Sequence, residues 1–341
     1  MAANILFDTA TLQGVLSQLP EPQTGVLARY FTEEVISDDF EINFDVEGTD
    51  LKMAPFVHPQ VPGQNVVPEP YKAKKFRPAY VKDRRPFTPG GALTRRVGER
   101  IGGEMSPADR LELAVAEEVR LKKARLDRRL EWMACQALLK GKVTVAGDYY
   151  PATVVDFGRD PALTVVKTAG NKWGDSGVSP IADLRAWSSA AEAPITEWVM
   201  TNDAFALLAA DPGFKDRMNT QLRGDNTVTM NIAGTDFQLT DMGVLDGMRI
   251  LVAPNQPVVD SDGTRITMLP ARTVIGVAKG YFRGVRHFGA IQDVEAMEEK
   301  FQGSYYIKSW VEKDPSARIM LLQAAPLMTP YRPNATFAAT V

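Results

Sequence analysis

Apolar residues recur at helical spacing through residues 106–141 and form one narrow stripe. Ser106 is a natural N-cap, Asp109 stands three residues later as in a capping box, and Gly141 is typical of a helix C-terminus. These signals predict a single helix over 107–140, about 50 Å long at about 1.5 Å per residue. The stripe consists of Leu111, Val115, Val119, Leu126, Leu130, Met133 and Ala137.

The apolar stripe occupies only one side of this predicted helix. The rest of the helix is highly charged, and Glu118 precedes Lys122 by four residues, a spacing at which opposite charges support a face exposed to solvent. One buried stripe on a charged helix predicts that the helix lies across a sheet, with its other faces in water.

Strand patterns occur on both sides of the long helix. Residues 40–46 alternate apolar and polar side chains, which predicts a half-buried strand. Two hairpins are predicted, one over 143–157 and one over 305–325, the second with an aspartate–proline turn. The middle of the chain mixes short elements, with helices predicted over 179–190 and 203–210 and strands over 196–200, 249–253 and 272–278.

Residues 50–104 are rich in proline and, towards their C-terminal end, strongly basic. Between Lys72 and Arg100 there are ten Lys or Arg residues and two acids. Extended ribs are predicted over 52–59 and 74–87, and because proline in strands is confined to edges, we expect a two-ribbed loop with little sheet behind it. An extended arm joined to a rigid helix indicates a part that reaches a neighbouring molecule.

The net charge of −3 conceals a division of charge along the 341 residues. The first sixty residues carry ten acids and two basic side chains, which is the reverse of the excess in 72–100. Opposite charge on two segments of one chain suits contact between copies, because complementary fields favour correct association. DNA binding by 72–100 is the competing interpretation, but the stretch lacks the basic–aromatic interleaving of a nucleic-acid module.

This charge division supplies the candidate contact residues between copies. We expect basic side chains of the loop to meet acids of the N-terminal segment on an adjoining copy. Charge reversal at Arg84 and Arg85 is then expected to impair association while leaving the isolated fold intact. The basic candidates are Arg84, Arg85, Arg95, Arg96, Lys74 and Lys75, and the acidic candidates are Glu33, Glu34, Asp38 and Asp39.

Candidate chemistry is sparse. The single cysteine excludes a disulfide framework and a cysteine-rich zinc site, and the two histidines leave little for acid–base work. Residues 174–177 read Gly-Asp-Ser-Gly, the nucleophile tetrapeptide of trypsin-like proteases, so a hydrolase using Ser176 is the alternative from a different class. His58 precedes it in the chain, but its surroundings do not resemble a catalytic-histidine motif. We predict no catalytic residue, no cofactor, no metal site, no secretory signal and no membrane span.

Several short phrases, taken in order, resemble the major capsid proteins of tailed phages, specifically the lambda-like protein E family. The resemblance covers essentially the whole chain. It rests on Ala28-Arg29-Tyr30-Phe31, on the helix exit Ala137-Leu138-Leu139-Lys140-Gly141-Lys142 with the hairpin after it, on Gly284-Val285-Arg286 to Gly289-Ala290-Ile291-Gln292-Asp293, and on Gln323-Ala324-Ala325-Pro326-Leu327-Met328.

The resemblance implies an α+β fold of the Hong Kong 97 phage capsid type. On that fold residues 1–49 form an N-arm and 50–104 an E-loop. Residues 105–167 and 284–341 form the peripheral (P) domain with its spine helix, and 168–283 form the axial (A) domain. Lys72, Lys74 and Lys75 lie in a loop suited to the cross-link of the fold's namesake, but lambda-like relatives lack that bond.

The resemblance also implies a function and partners. Members assemble as hexamers and pentamers of an icosahedral head around double-stranded DNA, without sequence-specific binding. The implied partners are further copies of the chain, a scaffold, a maturation protease, a portal and a separate decoration protein, and the implied location is the virion, after assembly in the host bacterial cytoplasm. An encapsulin compartment, which shares the fold and holds cargo enzymes, is the closest alternative.

Overall fold

The protein is described from a computed structural model. The described residues are 5–22, 25–39, 41–47, 56, 58, 60, 62, 72–87, 106–147, 150–219, 237–255, 257–260, 262–314 and 316–341. The candidate contacts Arg95 and Arg96 lie outside these residues, as do most of the rib predicted over 52–59 and most of the E-loop predicted over 50–104.

The long helix has the predicted ends. Ser106 Oγ accepts a hydrogen bond from Asp109 N at 3.2 Å, and the Asp109 carboxylate accepts one from Ser106 N at 3.0 Å. Gly141 closes the helix in the left-handed region with φ 62°. The described helices are α1 (Thr9–Gln18), α2 (Val26–Tyr30), α3 (Pro107–Lys140), α4 (Pro180–Ala190), α5 (Asn202–Ala209), α6 (Phe214–Arg217) and α7 (Val294–Glu298).

Strands make up most of the remaining elements, so the predicted α+β class is confirmed. The described strands are β1 (Glu33–Ile36), β2 (Ile42–Val46), β3 (Lys72–Phe76), β4 (Val81–Phe87), β5 (Lys142–Gly147), β6 (Tyr150–Asp156), β7 (Thr164–Val166), β8 (Glu197–Thr201), β9 (Met218–Asn219), β10 (Thr240–Leu245), β11 (Met248–Ala253), β12 (Pro257–Val259), β13 (Arg265–Thr267), β14 (Thr273–Val277), β15 (Gly284–Phe288), β16 (Tyr306–Glu312), β17 (Ala317–Ala324), β18 (Pro326–Pro330) and β19 (Thr336–Thr340).

A seven-stranded mixed sheet, in the order β7-β19-β14-β8-β11-β10-β9, takes five of its strands from residues 168–283. β8 is parallel to β11, and β14 is antiparallel to β8. The strand at the end of the chain, β19, pairs with β14 and β7 in this sheet, although the sequence-based division assigned 284–341 to the peripheral segment. Phe337 and Ala339 belong to the apolar core of this sheet, which accounts for the position of β19.

The basic stretch 72–87 has more sheet behind it than its prolines predicted. β3 pairs with β2, and β4 pairs antiparallel with β17, which in turn pairs with β16. The expectation of a loop with little sheet is therefore wrong for these residues. β4 is the edge strand of its sheet, and an edge position tolerates Pro86 because one side of the strand makes no ladder hydrogen bonds.

The core around α3 differs between its two halves. In the N-terminal half Val115, Val119 and Leu126 pack with α1 and β17, much as the apolar stripe predicted. In the C-terminal half residues 133–139 are all buried, because the helix lies among several strands and α2. The predicted solvent-exposed pair of Glu118 and Lys122 is wrong, since these residues are 2% and 0% exposed.

Candidate assembly surfaces

The acidic candidates lie on and just after an edge strand. β1 pairs in parallel with β15 and ends the sheet β1-β15-β18, and all four of its residues are exposed. Glu33 and Glu34 are on this strand, and Asp38 and Asp39 lie exposed in the turn that follows. The same strand exposes two apolar side chains, Val35 and Ile36. This edge therefore combines negative charge with apolar surface.

These acids have partners on the same chain, and the ion pair of Glu33 with Arg283 is exposed. Glu33 accepts hydrogen bonds from the Arg283 guanidinium at 2.9–3.1 Å, with both side chains more than 40% exposed. Glu34 lies 3.6 Å from Arg286, and Asp38 accepts from Gln302 at 3.1 Å. Exposed ion pairs contribute only about 0.2–1 kcal/mol each. A contact with a neighbouring copy can therefore replace the Glu33–Arg283 pair at low cost.

The two basic candidates on β4 differ in their surroundings. Arg84 pairs with Glu312 at 2.9 Å, and both side chains are largely exposed. Arg85 binds the carboxylate of Glu118, whose side chain is 3% exposed. Charge reversal at Arg85 would place a second carboxylate against this buried acid, so the expectation that the double reversal leaves the fold intact does not hold for Arg85. Arg84 is the position that tests association without disturbing the fold.

Beside these two arginines, a partly buried network of charged side chains holds β4 on α3. Lys122 donates hydrogen bonds to Asp83 Oδ1 at 2.8 Å and to the Asp83 carbonyl at 2.9 Å. Arg125 donates to Asp83 Oδ2 at 2.7 Å and to Glu118 at 3.3 Å. Burial opposes the charge of Asp83, but the hydrogen bonds from Lys122 and Arg125 hold its pKa below the ordinary value. The strand β4, which belongs to the basic stretch, is therefore held on the long helix α3 through Asp83.

A second buried acid anchors the N-terminal segment to the same helix. Glu131 is fully buried and accepts hydrogen bonds from the backbone N–H groups of Val26 at 2.6 Å and Leu27 at 3.0 Å. Burial raises the pKa of Glu131 to about 7, although the two backbone hydrogen bonds act in the opposite direction. Gly25 has φ 111°, and a Cβ there would lie 2.8 Å from the carboxylate. Only glycine fits this close approach.

The next turn of this segment binds the central sheet. Arg29 donates two hydrogen bonds to the Glu197 carboxylate at 2.6 and 2.7 Å, and Tyr30 Oη donates a third at 2.9 Å. Burial raises the pKa of Tyr30 well above its ordinary value, so its hydroxyl remains a donor. Together with the hydrogen bonds to Glu131, these contacts attach residues 25–30 to the long helix α3 and to the central sheet.

The lysine candidates lie on β3. Lys74 donates to the carbonyl oxygen of Asp156, whereas Lys75 is exposed. β3 lies within residues 50–104, which the sequence predicts to form the E-loop.

The hydrolase alternative gains no support from the geometry. Ser176 lies exposed in a loop, and its neighbour Asp175 accepts a hydrogen bond from Lys172 N at 2.9 Å. His287 is buried, is stacked on Tyr331 and is bonded through Nε2 to the tyrosine hydroxyl at 3.0 Å. Within the described ranges, no cluster of three His, Cys, Asp or Glu side chains could hold a metal ion. No helix found there is long and apolar enough to cross a bilayer.

Sequence reasoning missed the buried charges of α3, although the sequence carries a signal for them. Every fourth residue from Val119 lies on one row of the helix, and this row begins with Val119 and ends with Cys135. Lys123, Asp127 and Glu131 stand between these two apolar residues, and all three are buried. Charged residues that stand between apolar residues on one row of a helix indicate side chains that are buried with hydrogen-bonding or ionic partners inside the protein.

The chain resembles known proteins over nearly its whole length. The family model described as phage major capsid protein E matches residues 8–341. The major capsid protein of Escherichia phage lambda is 26% identical over 82% of this chain and 82% of its own, and that of Enterobacteria phage P21 is 25% identical over 95% of each. A crystal structure of the putative capsid protein of an E. coli CFT073 prophage superimposes with a TM-score of 0.75 at 20% identity, covering 98% of this chain and 99% of the other.

Proposed function

Because the chain belongs to the phage major capsid protein E family, we propose that its copies form the hexamers and pentamers of an icosahedral head that encloses double-stranded DNA. The fold is of the Hong Kong 97 capsid type, and the protein is a structural component of the virion. The family match over 8–341 is the observation that carries the proposal. It also favours a phage head over an encapsulin compartment.

The proposed domain organisation keeps the boundaries expected from the sequence. These are an N-arm at 1–49, an E-loop at 50–104, a peripheral domain at 105–167 and 284–341, and an axial domain at 168–283. The contacts of Glu131 and Asp83 with their neighbours support it, because they hold the bases of the N-arm and the E-loop on the long helix. β19 lies in the sheet of the axial segment, so it couples the two proposed domains.

We further propose that the exposed charges supply contacts between copies. Arg84, Lys75, Glu33 and Asp38 are exposed, and the same-chain pairs of Arg84 and Glu33 are exposed ion pairs. Replacing such a pair by one across an interface costs little, since water already weakens it. A shell of many copies needs only modest free energy per contact, because each copy makes several contacts. Arg95 and Arg96 belong to the same proposal on their sequence alone.

The proposed partners beyond the chain itself are a scaffold, a maturation protease, a portal and a decoration protein. The packaged DNA would touch the shell without sequence-specific recognition. Support for these partners is limited to family membership.

Electron microscopy of the purified protein, produced alone and together with the neighbouring genes of its phage, tests the function. Closed shells are expected, and a chain that stays monomeric at high concentration in both preparations would contradict the proposal. Arg84→Glu is expected to reduce the yield of shells several-fold, whereas Arg120→Glu, an exposed reversal on α3, serves as the matched control. Both variants should retain the wild-type circular dichroism.

A further inference from the structure

Two short links carry the chain between the seven-stranded sheet and the sheet β1-β15-β18. Residues 278–283 connect β14 to β15, and residues 331–335 connect β18 to β19. β14 pairs with β19 on one side of the links, and β15 pairs with β18 on the other. The links themselves lie outside the described strands, so ladder hydrogen bonds do not fix the angle between the two sheets there.

One apolar core lies beneath both sheets. Ile275 and Ala338 of the seven-stranded sheet and Leu327 of the smaller sheet belong to it, together with Leu138 of α3. Apolar burial holds the sheets together, but it is non-directional, and packed elements slide past one another by small shear movements. Selection of one angle between the sheets therefore depends on directional contacts, which are hydrogen bonds and ion pairs.

Residues 25–36, which we call the strap, bind both sheets. At the C-terminal end of the strap, β1 pairs with β15 of the smaller sheet. A few residues earlier, Arg29 donates two hydrogen bonds to Glu197 at 2.6 and 2.7 Å, and Tyr30 donates a third at 2.9 Å. Glu197 begins β8 of the seven-stranded sheet and lies opposite Val277, the last residue of β14 before the first link. The strap therefore crosses the break between the sheets.

The strap also packs on the first link. The ring of Phe282 makes edge contacts with the rings of Tyr30 and Phe31, with centroid distances of 6.4 and 5.8 Å. A Cβ at Gly284, where β15 begins, would clash with the carbonyl oxygen of Tyr30. The backbone of the strap thus lies directly against the chain at the end of the link.

We propose that the strap fixes the angle between the two sheets, and that Glu197 is the point at which the strap holds the seven-stranded sheet. An Arg–carboxylate pair joined by two parallel hydrogen bonds specifies geometry as well as adding favourable energy. The side chains of Arg29 and Glu197 are 27% and 8% exposed, so water weakens this pair less than it weakens the exposed pair of Glu33 with Arg283.

The strap has a consequence for shell curvature that rests on the proposed function. A ring of five copies and a ring of six require different rotations between neighbouring copies. A subunit whose two sheets keep one narrow range of angles restricts how neighbouring copies tilt, and so restricts the diameter of a closed shell. Loss of the strap contact should therefore give shells of mixed diameter.

Distances between two spin labels, measured by pulsed electron paramagnetic resonance on the unassembled subunit, test the strap. Val166→Cys on β7 and Val294→Cys on α7, which follows β15, carry the labels. These valines are 69% and 71% exposed, and the natural Cys135 is buried. We expect a narrow distance distribution in the otherwise wild-type chain and a distribution at least twofold broader when Glu197→Gln is added.

Asp241→Asn is the matched control. Asp241 pairs with Arg249 at a similar exposure, but this pair joins the neighbouring strands β10 and β11 within one sheet, so the distribution should stay narrow. Arg29→Gln removes the strap contact from its other side and takes the place of Glu197→Gln if that variant does not fold. Distributions that are equally narrow in all variants, or equally broad in the control, would overturn the strap.

Hydrogen exchange gives a second measurement. The amides of Phe282 and Tyr331, one in each link, donate to the carbonyls of Ala278 and Arg283 at 2.7 and 2.9 Å. With Glu197→Gln we expect these two amides to exchange about tenfold faster, which corresponds to about 1.4 kcal/mol. The amides of the β16–β17 hairpin should keep their wild-type rates. Unchanged rates in both links would contradict the proposal.

Electron microscopy of assembled Glu197→Gln particles tests the consequence for the shell. A spread of diameters is expected, whereas Asp241→Asn particles should be uniform. Uniform particles of wild-type diameter from both variants would refute the role in curvature. Absence of shells from the wild-type chain would instead count against the proposed function, and the label distances on the unassembled subunit would still decide whether the strap fixes the angle.

Discussion

Replacing the buried Glu131 by glutamine is expected to change how the stability of the subunit depends on pH. The pKa of Glu131 rises from 4.5 to about 7 because the carboxyl is fully buried. Between these two values the folded chain holds a proton that the unfolded chain has released, so stability falls as pH rises through this range. At about 1.36 kcal/mol per pKa unit, the loss is worth about 3 kcal/mol above pH 7.

Glutamine keeps the shape of the neutral acid and cannot ionise. It accepts through one oxygen where the carboxylate accepts through two, so Glu131→Gln is expected to cost about 1 kcal/mol at every pH. The stability of Glu131→Gln relative to wild type should therefore rise by about 3 kcal/mol between pH 5 and pH 8. Other titrating groups are common to both proteins, and their contributions cancel in this difference.

Urea denaturation of the unassembled subunit at pH 5, 6, 7 and 8, followed by tryptophan fluorescence, measures the effect. Glu112→Gln on the exposed face of the same helix is the matched control and should show no such trend. If the difference in the free energy of unfolding between Glu131→Gln and wild type stays constant from pH 5 to pH 8, the carboxyl ionises at its ordinary pKa. The argument that burial raises this pKa would then fail.

Three further predictions concern buried positions. Burial lowers the pKa of His287 to about 4, so the folded state should lose up to about 3 kcal/mol as pH falls from 6.5 to 4; this loss should vanish in His287→Phe in acid denaturation curves. Arg159 donates to two carbonyls at the end of α3, and Arg159→Met should destabilise by about 1.5–3 kcal/mol in urea, whereas an unchanged midpoint would exclude this capping role. A Cβ at Gly276 would lie 2.6 Å from Trp198, so Gly276→Ala should lower the melting temperature through a cost of about 1–3 kcal/mol. Gly147→Ala, with open space around its Cβ, is the control for this last change, and equal effects at the two glycines would contradict it.

Local signals account for what could be predicted about the elements. The ends of α3 depend on Ser106, Asp109 and Gly141, all within one turn of the helix end concerned. The β16–β17 hairpin depends on a short turn between two apolar runs. The same reasoning located the exposed acids of the candidate site, because charge on a short edge strand is readable from composition. Composition could not predict which side chains of the same chain pair with these acids.

The sequence by itself determined the long helix, the hairpins, the division of charge and the family resemblance, since each depends on neighbouring residues or on the order of short phrases. Only the tertiary structure decided that β4 pairs with β17 more than 200 residues away and that β19 completes the central sheet. It also decided that Lys122 and Glu131 are buried with partners from distant segments. Helical periodicity describes which residues share a face, but packing against distant strands decides whether that face is buried.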